Sequence, residues 1–67
     1  MLMVDLSVAI EALSQTITFL TKLGRFRQAA DREKEIASIR VQMGDLTGAC
    51  QSYQQAGDWY KQEDAKA

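Results

Sequence analysis

The side chains able to do chemistry in this 67-residue chain are few and unevenly placed. It has one cysteine, Cys50, and no histidine. Ser/His/Asp and Cys/His nucleophilic arrangements therefore cannot be assembled, nor can a zinc site of the Cys/His type. The four glycines are scattered, so no phosphate-cradling loop is present. Two carboxylate pairs, Asp31/Glu35 and Glu63/Asp64, have a spacing that acid/base couples use; solvated helix surface is the simpler reading of both. These absences predict a non-enzyme with no cofactor and no metal.

The basic residues are more informative. Six of the eight Lys and Arg lie between Lys22 and Arg40, against three acids, Asp31, Glu33 and Glu35. That stretch is net positive, and because the chain totals −1 the remainder is net negative. Arg25 and Arg32 are seven residues apart and share one helical ridge; Arg27 and Lys34 share another. One reading is an ordinary solvated surface with local ion pairs. The other is a basic surface for an acidic partner. The net charge of −1 argues against a general nucleic-acid binder.

Helices must position these residues. The chain lacks proline and asparagine and is rich in Ala, Gln, Glu, Lys, Leu and Arg, a helical composition. Leu6, Ile10, Leu13, Ile17 and Leu20 are spaced 4, 3, 4, 3, the apolar stripe of an amphipathic helix. Asp5 or Ser7 can cap its start, and Gly24 ends it. The second segment has two adjacent apolar rows, Phe26/Ala30/Ala37 and Ala29/Ile36/Met43. They predict a helix packed between two neighbours, ended by Gly44. A third helix starts at the N-cap Asp45. Cys50 falls on its apolar stripe and reads as a buried structural thiol.

Gly57 is the ambiguous point. It opens Gly57-Asp58-Trp59, which looks like Gly24-Arg25-Phe26 and Gly44-Asp45-Leu46. As a turn it would leave a third helix of about eleven residues. An internal repeat favours the other reading. Shifted by 40 positions, Asp5–Ala9 falls on Asp45–Ala49, the first stripe falls on Leu46, Cys50, Tyr53, Gly57 and Tyr60, and Phe19 falls on Trp59. Gly57 then matches Ile17, inside a helix, where close approach of a neighbouring backbone would explain it. Trp59 and Tyr60 become packing residues rather than an exposed platform.

The expected fold is all-α: antiparallel helical hairpins, a tetratricopeptide-like right-handed solenoid fragment of about three helices, with a longer unit than the tetratricopeptide itself. Residues 1–67 form a single helical-repeat fragment, with helix A at about 5–23, helix B at about 25–43 and helix A′ at about 45–64. A lone chain of this size buries only about 60% of its unfolded surface, and arrays normally need about three repeats. A fragment of a longer solenoid, or a chain that self-associates through exposed apolar faces, is expected. No apolar run approaches ~18 residues, and "MLMVDLSVAIEAL" lacks the basic start of a signal peptide.

"GRFRQAADREKEIASI" followed by "GDLTGACQSYQQAGDWYKQEDA" resembles the soluble NSF attachment proteins, the SNAP family, closest to the alpha type in a fungal version. The resemblance runs from about Asp5 to Ala65. It rests on Gly24-Arg25-Phe26, Ala29-Ala30, Ile36-Ala37 and Ala56-Gly57-Asp58-Trp59-Tyr60 with Glu63. It implies a non-catalytic adaptor of vesicle and membrane fusion, which binds the four-helix SNARE complex through basic residues and links it to NSF, a hexameric AAA ATPase, for disassembly. It further implies cytoplasmic residence with only peripheral membrane association, and no nucleic-acid partner. Arg25 falls where the family has a SNARE-facing basic residue. Asp31 stands where animal members carry a second one, and its neighbour Arg32, at a different helix angle, is the replacement. Arg27 and Lys34 join them from the charge map alone. Arg40 stands where an aromatic is expected, and "MLMV" departs from the family pattern. The family's N-terminal repeats and C-terminal bundle have no counterpart in these residues, so the chain by itself is expected to be incompetent for disassembly. The alternative function is a generic tetratricopeptide-like peptide-binding or self-associating module.

Overall fold

The computed structural model describes residues 5–65, and Met1–Val4 lie outside them. Three helices follow in order: α1 (Leu6–Lys22), α2 (Phe26–Gln42) and α3 (Leu46–Ala65). No strand occurs among the described residues.

The two turns are built alike. In each, the glycine takes a left-handed conformation, φ +74° at Gly24 and +82° at Gly44. Gly24 N–H donates to Thr21 O and Arg25 N–H to Leu20 O; Gly44 N–H donates to Val41 O and Asp45 N–H to Arg40 O. These paired bonds are the Schellman ending of a helix, which satisfies its last carbonyls and requires a residue at ease with positive φ. The following helices start differently. The carboxylate of Asp45 accepts from Gly48 N–H at 2.9 Å, as that of Asp5 accepts from Ser7 N–H at 2.9 Å. Arg25 precedes α2 without a side-chain cap.

The central helix is α2, packed by α1 on one side and α3 on the other; α1 and α3 do not come together. The result measures 46 × 22 × 13 Å along its principal axes. The smallest dimension is close to the ~10–12 Å diameter of one helix, so the three helices form a single layer. On the α1 side, Ile17 and Leu20 meet Ala29 and Ile36, with Ile10, Leu13 and Trp59 packed against them. Ala30 and Ala37 of α2 and Ala49, Ser52 and Ala56 of α3 are also buried. Small residues here let the second pair of helices approach closely. The broad apolar face expected of α2 is thus present, with one exception: Met43 lies past the helix end and is exposed.

Gly57 lies inside α3, which runs unbroken from Leu46 to Ala65. The reason anticipated for this glycine is wrong within this chain, because a Cβ placed there meets nothing within 4 Å. The expected burial of Cys50 is wrong too: the thiol is exposed, as are Leu46 and Tyr53. One cause explains all of these. Since α1 and α3 reach α2 from opposite sides, helices in the same repeat register must use different faces. α1 uses the row of Ile10, Leu13, Ile17 and Leu20. α3 uses the neighbouring row of Ala49, Ser52, Ala56 and Trp59, one position earlier and about 100° around the helix. The row that matches the α1 stripe is left facing away.

Candidate partner-binding surface

The four candidate cations all project from α2 or its cap, and all are exposed. They do not form one strip. Arg25 and Arg27 are two residues apart, which at 3.6 residues per turn sets their ridges about 160° apart. Lys34 places the second ridge: its Nζ lies 5.8 Å from the ring centre of Tyr60 on α3, a cation–π contact. The Arg25/Arg32 ridge therefore borders the opposite, α1 side. Between the two lies the open face of α2, where Asp31 and Glu35 are exposed.

Both of those acids are engaged. Glu35 binds Arg32 at 2.6 Å one turn away. The carboxylate of Asp31 accepts a short hydrogen bond from the Tyr60 hydroxyl, which raises the phenol above its ordinary pKa, since losing the proton would set a phenolate against the carboxylate. The two carboxylates thus work as separate tethers and not as an acid/base couple. The other sequence pair separates as well. A Glu63 carboxylate oxygen lies 3.5 Å from the backbone N–H of Arg27, while Asp64 is exposed.

Two contacts, Tyr60–Asp31 and Glu63–Arg27, join α3 to α2 across 29 and 36 residues of chain. Local spacing carries no signal for them; only the antiparallel alignment of two helices brings them together. The same holds for Arg40. It is half-buried, and its guanidinium meets Asp45 at 3.1 Å across the second turn. Arg40 and the Gly48 N–H both favour the charged carboxylate, the amide bond most strongly, and hold Asp45 below the usual carboxylate pKa. A Cβ at Gly48 would collide with both side chains. Arg40 is therefore part of the turn and is removed from the set of cations open to a partner.

Among the described residues there is no group of three or more side chains able to hold a metal ion, and no helix is long and apolar enough to cross a membrane. The surface can offer two cationic borders, an aromatic contact beneath one of them, and hydrogen-bonding groups between.

The pattern that defines the soluble NSF attachment proteins matches residues 1–67. The match includes Met1–Val4, which the sequence reading set outside the family pattern. The chain is 62% identical over 61 residues to the vesicular-fusion protein SEC17 of Coprinopsis cinerea, covering 90% of this chain and 21% of that protein. It is 32% identical over 62 residues to the vesicular-fusion protein SEC17 of Komagataella phaffii, covering 91% and 21%. The chain thus spans about a fifth of the length of these relatives. No solved structure matches it significantly. An all-helical layer of antiparallel hairpins, together with a family match that takes in every residue of it, means that this chain belongs to the soluble NSF attachment protein family.

Proposed function

We propose that this chain is a segment of a vesicular-fusion adaptor and contributes a SNARE-facing surface through Arg25, Arg27, Arg32 and Lys34, so that the assembled adaptor can link SNARE complexes to an NSF-type ATPase. The observation that carries the proposal is the open face of α2. It is bordered on both sides by exposed cations, while its two acids are turned to Tyr60 and Arg32. A bundle of helices with acidic flanks can approach this face and meet positive charge at either border. Arg25 is the strongest candidate, because it is exposed and takes part in no described ion pair. Arg32 must exchange Glu35 for a partner carboxylate, so its net contribution is smaller.

Charge reversal and salt test this reading. Binding of the chain to an assembled four-helix SNARE complex should weaken with ionic strength. Arg25→Glu should lower affinity about tenfold and Arg32→Glu by less. Binding that survives both substitutions unaltered, measured by titration calorimetry, would remove the assignment.

A further inference from the structure

α1 carries a second apolar row that no helix of this chain covers. It consists of Val8, Ala12, Phe19 and Leu23, all exposed, with Val8 58% and Phe19 62% accessible. The 40-residue repeat shows what such a row is suited to. Ala12, Thr16 and Phe19 align with Ser52, Ala56 and Trp59. Ser52 and Ala56 are buried in α3, and Trp59 packs against the core. The α1 row is therefore a helix-packing row without its helix.

Its side chains are arranged to match themselves. Let two copies of α1 cross antiparallel, with the crossing between Gln15 and Thr16. Val8 then lies opposite Leu23 of the second copy, and Ala12 opposite Phe19, so the small residue makes room for the large one. The flank adds charge. Glu11 and Lys22 are eleven residues apart, which puts them within about 20° of each other around the helix. In a two-fold antiparallel pair, equivalent flanks face each other. Glu11 of each copy then sits beside Lys22 of the other, offset by about two residues, ~3 Å of rise. Neither residue has an ion-pair partner among the described residues. A net charge of −1 leaves little repulsion between copies.

We propose that the chain forms a two-fold symmetric dimer in which α1 packs antiparallel against α1 of a second copy, through Val8, Ala12, Phe19 and Leu23, with reciprocal Glu11–Lys22 ion pairs. The interface is isologous and closes on itself, so assembly stops at two. A single 17-residue helix gives a small contact area, and the dissociation constant should be on the order of 10 µM.

Sedimentation equilibrium of the full chain, from well below to well above that concentration, tests this. The expected result is a monomer–dimer equilibrium. Phe19→Glu should raise the dissociation constant more than about tenfold with helix content by circular dichroism unchanged, because Phe19 is exposed. Glu11→Lys and Lys22→Glu should each raise it about threefold to tenfold, and the double exchange E11K/K22E should restore it. Tyr53→Glu, on the open face of α3, should leave it unchanged. A chain that stays monomeric at every concentration overturns the proposal and leaves the row to a helix from outside these 67 residues. A dimer disrupted by Tyr53→Glu but not Phe19→Glu overturns it as well, as does a double exchange that fails to restore association.

Discussion

Gly57 and Asp45 show how little a residue's type says until its neighbours are known. Gly57 is a glycine in a helix interior with empty space where its Cβ would be. Nothing in this chain compensates the backbone entropy it adds to the unfolded state. Gly57→Ala should therefore raise unfolding free energy by about 1 kcal/mol in urea titrations. A loss of stability instead would mean that a neighbour does occupy that space. Asp45 depends wholly on its surroundings. Arg40 and the Gly48 N–H hold its carboxylate below the ordinary value. A group with a depressed folded pKa stabilises the fold above its unfolded value, about 4, and that contribution disappears as pH falls through the folded value. Asp45→Asn keeps a capping oxygen but removes the charge. The variant should be less stable than the parent at pH 7, and the two urea midpoints should converge as the pH is taken below about 4. A gap that persists unchanged to low pH would show that the charge is not what Asp45 contributes.

At the scale of elements, most of the design is local. Each helix begins and ends where a capping side chain or a left-handed glycine allows it. The stripe of α1 and the two rows of α2 are visible in the spacing of Leu, Ile and Ala. Replacing Gly24 or Gly44 with Ala puts a Cβ into positive φ and should cost about 1–2 kcal/mol each, read as a lower midpoint in thermal melts monitored by circular dichroism. An unchanged midpoint would mean that the turns tolerate another geometry. Which face of α3 is buried was not visible locally. Its row of Leu46, Cys50, Tyr53 and Gly57 is as apolar as the row of Ala49, Ser52, Ala56 and Trp59 that α3 actually uses. Burial was decided by the side from which α3 meets α2.

The whole molecule is one layer of helices, 13 Å thick, and that shape bears on function. A single layer exposes both of its faces and buries large aliphatics along one seam only. It presents the cations of α2 but spans 21% of the fusion proteins it resembles. SNARE engagement and ATPase recruitment are different contacts, and a layer of three helices does not offer surface for both. We therefore expect that these 67 residues alone will not stimulate the ATPase activity of NSF on SNARE complexes. Stimulation above the level of the ATPase alone in a phosphate-release assay would refute that expectation.

The sequence by itself determined the helical class, the two glycine turns, the passage of the third helix through Gly57 and the family. These follow from periodicity, capping and backbone preference, which act within a few residues, and from a short ordered set of motifs. It also located the four cations, because charge is read directly from residue type. Only the tertiary structure decided that those cations form two borders instead of one ridge, that Arg40 closes a turn, that Asp31 and Glu63 tether α3, and that Cys50 faces outward. The physical reason is shared by all four. Each depends on how one helix is rotated against another, and that rotation is set by the joint packing of residues 29 or more positions apart or, for Arg40 and Asp45, on opposite sides of a turn.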